Sequence, residues 1–166
     1  VLLTGGMGNN AGTAARRGFQ TWEDDTATVG FSVGAENPNS PVDFTTCSSF
    51  ENEIHWNEPL SGNPLARANS CWDGEGDLFT FTIGFDDSPD RHTGTGNPSA
   101  SEYDLEAVAA HEWGHALGFS KGDGHINDAD CGSPSRATMC PTIPIGQTYW
   151  RSLEGHDIHT GESAYD

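Results

Sequence analysis

His111-Glu112-Trp113-Gly114-His115 sets two imidazoles four residues apart, with a carboxylate directly after the first. On an α-helix, positions i and i+4 project from one face about one turn apart, so His111 and His115 can grip one cation together. Glu112 leaves the backbone beside them and can reach a water molecule held at that cation. That is the position a general base requires.

The spacing carries this meaning only on a helix. Ser101 opens a polar start with Asp104 three residues on, which resembles a capping box with Asp in place of Glu. Leu105, Val108, Ala109, Ala116 and Leu117 then recur at helical spacing, and Gly118 stands where a left-handed residue would end the helix. The motif therefore falls on a capped helix of about four turns.

Working outward, Ala14 to Trp22 reads as a helix with Ala14, Ala15, Phe19 and Trp22 on its apolar side. Thr28 to Val33 and Asn52 to Asn57 alternate at period two and read as strands. Leu65-Ala66-Arg67-Ala68 is a short extended segment before a turn at Cys71-Trp72, and Leu78 to Phe85 is the strongest strand. A Gly/Pro/Thr loop leads to the motif helix, and a long Gly- and Asp-rich loop follows Gly118. Leu153 to Tyr165 reads as a closing helix. No repeat or linker divides the chain, so residues 1–166 are expected to form one α+β domain.

Seven Lys and Arg face twenty-five Asp and Glu, a formal charge of −18. Nucleic acid is thereby excluded as a partner, since phosphate contacts need clustered cations. No run of eighteen apolar residues exists to span a membrane. The acidic surface favours solubility, with structural Ca2+ at Asp86-Asp87 and Asp90 as a more specific reading, although no EF-hand loop occurs. Cys47, Cys71, Cys131 and Cys140 allow three pairings. Cys47–Cys71 and Cys131–Cys140 are favoured because each pair lies close in sequence around loop-rich segments. A Cys-rich zinc site lacks the required spacing. Disulfides imply a secreted, extracellular protein.

The run from Tyr103 through Ala110 into His111-Glu112-Trp113-Gly114-His115-Ala116-Leu117-Gly118-Phe119 resembles the metzincin clan of metallopeptidases, and within it the matrixin-like secreted catalytic domains. Met139-Cys140-Pro141 resembles the Met-turn that lies beneath the metal in that clan. Pro64 to Ala68 resembles the edge strand that receives substrate, and Gly84 to Asp87 the strand after it. The resemblance implies a zincin-like fold: a twisted, mostly parallel mixed sheet with an antiparallel edge strand, an active-site helix and a C-terminal helix. It implies Zn2+ held by His111 and His115, with Glu112 as general base in the hydrolysis of a protein or peptide substrate by a monomer. Substrate would lie along Leu65, Ala66 and Arg67, with Pro141, Thr142 and Ile143 walling the pocket beside the metal. Tyr149 is a further hydroxyl within the chemistry's range.

Catalytic zinc needs a third protein ligand. The clan places a His, or sometimes an Asp, six residues after the second His, where this chain has Lys121, a poor ligand. His125 is the expected replacement, because imidazole suits zinc and Gly122 and Gly124 free the chain to swing it inward. Asp123 is the alternative, Glu154 belongs to a different class of zinc peptidase, and a metal-free binding domain is the reading that Lys121 alone would suggest. His55, His92, His156 and His159 are expected to be structural or solvated, with a structural hydrogen bond and not metal binding for the last two, which flank Asp157.

Overall fold

The computed structural model describes residues 2–4, 9–26, 36–37, 52–56, 60–62, 64–86, 90–119, 131 and 137–159. In chain order these form β1 (Leu2–Thr4), α1 (Asn9–Asp25), β2 (Glu36–Asn37), β3 (Glu53–Trp56), β4 (Ala66–Trp72), β5 (Leu78–Phe85), β6 (Arg91–His92), β7 (Tyr103–Asp104), α2 (Leu105–Ala116) and a 3-10 turn at Tyr149–Arg151. Residues 155–159 are also helical, inside the expected closing helix, and the strand expected at Thr28–Val33 lies outside the described residues.

β1 to β5 form one mixed sheet in the order β2-β1-β3-β5-β4. The β1–β2, β1–β3 and β3–β5 pairs run parallel, and β4 runs antiparallel to β5 at one edge. In β5 the alternation was legible: Phe81, Ile83 and Phe85 belong to the core. The threonines between them do not face water, because Thr80 and Thr82 are buried together with Glu53 and His55 of β3. Parallel strands are ordinarily covered on both faces, so alternation here separates an apolar from a polar buried face. On the polar face His55 Nε2 lies 3.3 Å from Glu53 Oε2, in keeping with a structural role.

β4 runs further than its sequence suggests. The strand continues through Cys71 and Trp72, and the reversal falls at Asp73 to Asp77. Asp73 Oδ1 accepts the backbone N–H groups of Glu75, Gly76 and Asp77 at 2.8–2.9 Å, so an Asx-type turn and not the Cys-Trp pair ends the strand. Those N–H groups, Asp77's foremost, hold the Asp73 carboxyl below its ordinary pKa.

α1 buries Ala14, Ala15, Phe19 and Trp22 completely, the stripe read from the sequence, though the helix extends beyond it at both ends. It crosses α2 closely at Gly18, where an added Cβ would stand 2.7 Å from Ala110 N and 2.9 Å from Ala109 Cβ. Arg17 Nε donates to Glu106 Oε2 at 2.5 Å beside this crossing. Gly18→Ala should therefore destabilise the fold by about 1–3 kcal/mol, although alanine is the better helix former by about 1 kcal/mol. A urea midpoint that rises would show that the helices have room to spare.

Candidate metal centre and active site

Asp104, and not Ser101, caps α2: its Oδ1 accepts the N–H of Ala107 at 2.9 Å. Tyr103 and Asp104 pair with β6, which keeps the backbone extended up to the cap and leaves Ser101 in a turn with Ser99. Arg151 locks the cap. Its Nε donates to both Asp104 oxygens at 3.1 and 3.0 Å, its Nη2 bonds Asp104 as well, and Nη1 and Nη2 also serve the carbonyls of Thr95, Gly94 and Gly96 at 2.8–3.0 Å. At the other end Gly118 adopts φ +99° as expected. The N–H of Gly118 bonds His115 O at 3.0 Å and that of Phe119 bonds Gly114 O at 3.1 Å, the two bonds of a Schellman ending.

Between these ends the motif projects as the spacing requires. His111 Nε2 and His115 Nε2 stand 3.1 Å apart, with the rings at 86°. Two zinc–nitrogen bonds of about 2.0–2.1 Å at a tetrahedral angle span about 3.4 Å, so this separation fits a shared zinc ion. His111 Nδ1–H donates to Thr138 O at 2.7 Å, which puts the ring's lone pair on Nε2, the atom facing His115. The donor set suits the metal.

Glu112 is buried. Burial pushes its carboxyl up to about 8, opposed by a hydrogen bond from the Ala68 backbone and by the charge of Arg67. A divalent cation on the adjacent imidazoles would oppose burial further and favour the carboxylate.

The apolar floor is Met139, 3 % exposed. At Gly114 an added Cβ would collide with Met139 Sδ and stand 2.8 Å from the Trp22 ring, so helix, floor and α1 meet where only hydrogen fits. Gly114→Ala should lower stability by about 2 kcal/mol and the melting temperature by about 4–8 °C. A variant that melts at or above the parent would refute this packing.

The Met139 turn is itself held from the last helix. Asp157 is buried and accepts the N–H groups of Thr138 at 2.8 Å, Met139 at 3.2 Å and Glu154 at 2.9 Å. Burial pushes its carboxyl up while those three bonds pull it down. Cys140 is disulfide-bonded to Cys131, one of the two pairings expected; the other involves Cys47, outside the described residues. Asp157 was visible in the sequence only as the residue between two histidines, and its role is to accept from these backbone groups.

The remaining expected residues divide. Leu65 O accepts from Asp86 N at 3.1 Å and from Arg91 Nη2 at 2.8 Å, Ala66 is buried, and Arg67 is exposed opposite Gly84. Pro141 and Thr142 are exposed beyond Met139, whereas Ile143 joins the core. Tyr149 opens the 3-10 turn, 37 % exposed. Lys121, Asp123 and His125 lie outside the described residues. Among the described residues no third His, Cys, Asp or Glu atom converges on the histidine pair, and Glu154 is exposed. Among the described residues the carboxylates that converge are Asp73, Glu75 and Asp77, all exposed, and the Asp86–Asp90 stretch read for calcium is described only at its two ends. Asp86 instead accepts the N–H of Leu60 at 3.1 Å, and Asp87 is outside the described residues.

Two converging imidazoles on a helix, an adjacent buried carboxylate and a methionine packed against that helix are the arrangement a metal-dependent hydrolase would use. The Matrixin family model matches residues 7–166, and the chain belongs to that family. Membership implies zinc binding and, in general terms, zinc metalloendopeptidase activity on protein or peptide substrates. Comparison with curated proteins gives no match. No helix among the described residues is long and apolar enough to cross a membrane.

Proposed function

We propose that the chain is a secreted, monomeric, single-domain zinc endopeptidase in which His111, His115 and His125 hold the metal and Glu112 is the general base. The observation that carries the reading is the 3.1 Å approach of the two Nε2 atoms next to the Glu112 carboxylate, itself held from Ala68 of the edge strand. Bound zinc would polarise the scissile carbonyl and bring the pKa of a coordinated water toward ~7. Glu112 takes the proton of the attacking water and passes it to the departing amine. Thr138 O keeps the His111 ring turned toward the metal through the bond to Nδ1. Substrate extends along the outer edge of β4 by Leu65, Ala66 and Arg67 and pairs through its backbone. Pro141 and Thr142, with Ile143 behind them, border the side chain that follows the cut bond.

Casein hydrolysis with and without a chelator, followed by zinc add-back, tests the activity. Single His111→Ala, Asp123→Ala and His125→Ala variants are then assayed for bound zinc. The expected result is loss of zinc in the first and third and its retention in the second. Zinc lost with His111→Ala and Asp123→Ala but kept with His125→Ala would reassign the third ligand, and chelator-resistant cleavage would end the zinc reading.

A further inference from the structure

Edge strand β4 meets α2 and the turn after it at three successive points. The Ala68 backbone bonds the Glu112 carboxylate. Ser70 Oγ donates to His115 O at 2.7 Å. The Trp72 ring covers Gly118 so closely that a Cβ there would stand 2.8 Å from Trp72 Cζ2. Ala68 makes its contact through the backbone, and the side chains of Ser70 and Trp72 share one side of the strand because side chains alternate. The register shift between Cys71 and Trp72 does not disturb this, since Cys71 pairs with Thr80 and Trp72 with Leu78, and the residue passed over is Phe79 of β5. Residues 112, 115 and 118 follow one side of the helix into its ending. The strand thus addresses, in order, the carboxylate, the second histidine and the turn that sends the chain onward.

We infer that Ser70 and Trp72 are positioning residues for the metal centre. His115 O is one of the last carbonyls of α2 and accepts the N–H of Gly118 at 3.0 Å. Ser70 occupies its second lone pair and so ties the final helical turn, from which the His115 ring projects, to the strand. Trp72 remains 39 % exposed and lays its ring on the positive-φ glycine. There it blocks any side chain at 118 and fixes the direction in which the chain leaves His115. Neither residue touches the metal; both act through the geometry of the second ligand. Because the same strand offers its outer edge to substrate in the proposed function, on which this inference rests, substrate and second ligand are referenced to one rigid element.

The test uses metal-stripped protein titrated with Co2+, whose visible absorption reports ligand geometry. Ser70→Thr keeps the hydroxyl and Ser70→Val has nearly the same shape without it. Wild type and Ser70→Thr are expected to bind one Co2+ with the same band pattern. Ser70→Val should bind about 10-fold more weakly with altered band intensities, and Trp72→Ala should do likewise while Trp72→Phe recovers most of the loss. Melting of the metal-free variants provides the structural baseline, since one hydrogen bond of about 1 kcal/mol moves the midpoint by only about 2–4 °C. Equal affinity and identical spectra for Thr and Val at 70 would overturn the role of Ser70, and an unchanged Trp72→Ala that of Trp72. Wild-type protein that takes up no cobalt at all would instead overturn the metal reading beneath them.

Discussion

Glu112→Gln is expected to fold, to bind zinc as the parent does, and to cleave casein about 10²- to 10⁴-fold more slowly. The amide preserves the shape of the side chain and an oxygen that can accept the Ala68 bond, but it cannot take a proton from water. Stability should move the other way. In the metal-free protein the folded-state pKa of about 8 lies above the unfolded value near ~4.3, so the folded chain retains a proton that the unfolded chain releases. The group's contribution is therefore full below the unfolded pKa and is lost as the pH rises through about 8. Glutamine has no such slope. Urea midpoints of the stripped proteins across pH 5 to 9 should converge at the acid end, with the variant the more stable at the alkaline end. Parent-like turnover by the variant would remove Glu112 from the chemistry, and identical pH slopes would remove the burial argument.

Asp157→Ala should be the most damaging change outside the motif. It strips acceptors from three backbone N–H groups, two of them in the Thr138-Met139 turn. A buried donor left without a partner costs about 1–3 kcal/mol, so the total is on the order of 3–5 kcal/mol, or about 10 °C in melting temperature. Metal affinity should fall too, because Thr138 O orients His111. Asp157→Asn retains one carboxamide oxygen and is expected to fall between the two. Calorimetry with a zinc competition assay reads both effects. A variant that melts within about 1 °C of the parent would show that the turn holds itself.

How legible this was differed along the chain. The motif's own geometry could be read directly, because helical periodicity alone decides which side chains share a face. Gly118 was readable for the same local reason, since only a left-handed ending satisfies the last carbonyls there. The beginning of α2 was not. Ser101 and Asp104 both carry capping side chains, and the choice fell to Asp104 through pairing with β6, a partner that local sequence does not reveal. β4 was cut short in the reading because Cys71-Trp72 resembles a turn, whereas three N–H bonds to Asp73 place the reversal later. In the site, Thr138 O was invisible because a carbonyl has no residue identity. Ile143 was assigned to a pocket wall by resemblance, and its burial with the core was not legible because apolarity suits both places.

The tie between α1 and α2 has a bearing on the protein's biosynthesis. Trp22 Nε1 donates to Ala110 O across 88 positions of chain, and Arg17 reaches Glu106 across 89. While α1 has emerged from the ribosome and α2 has not, the apolar side of α1 therefore lacks the helix that packs on it. That surface must wait, open to chaperones, until the second helix emerges, and contacts of such range make for slow folding.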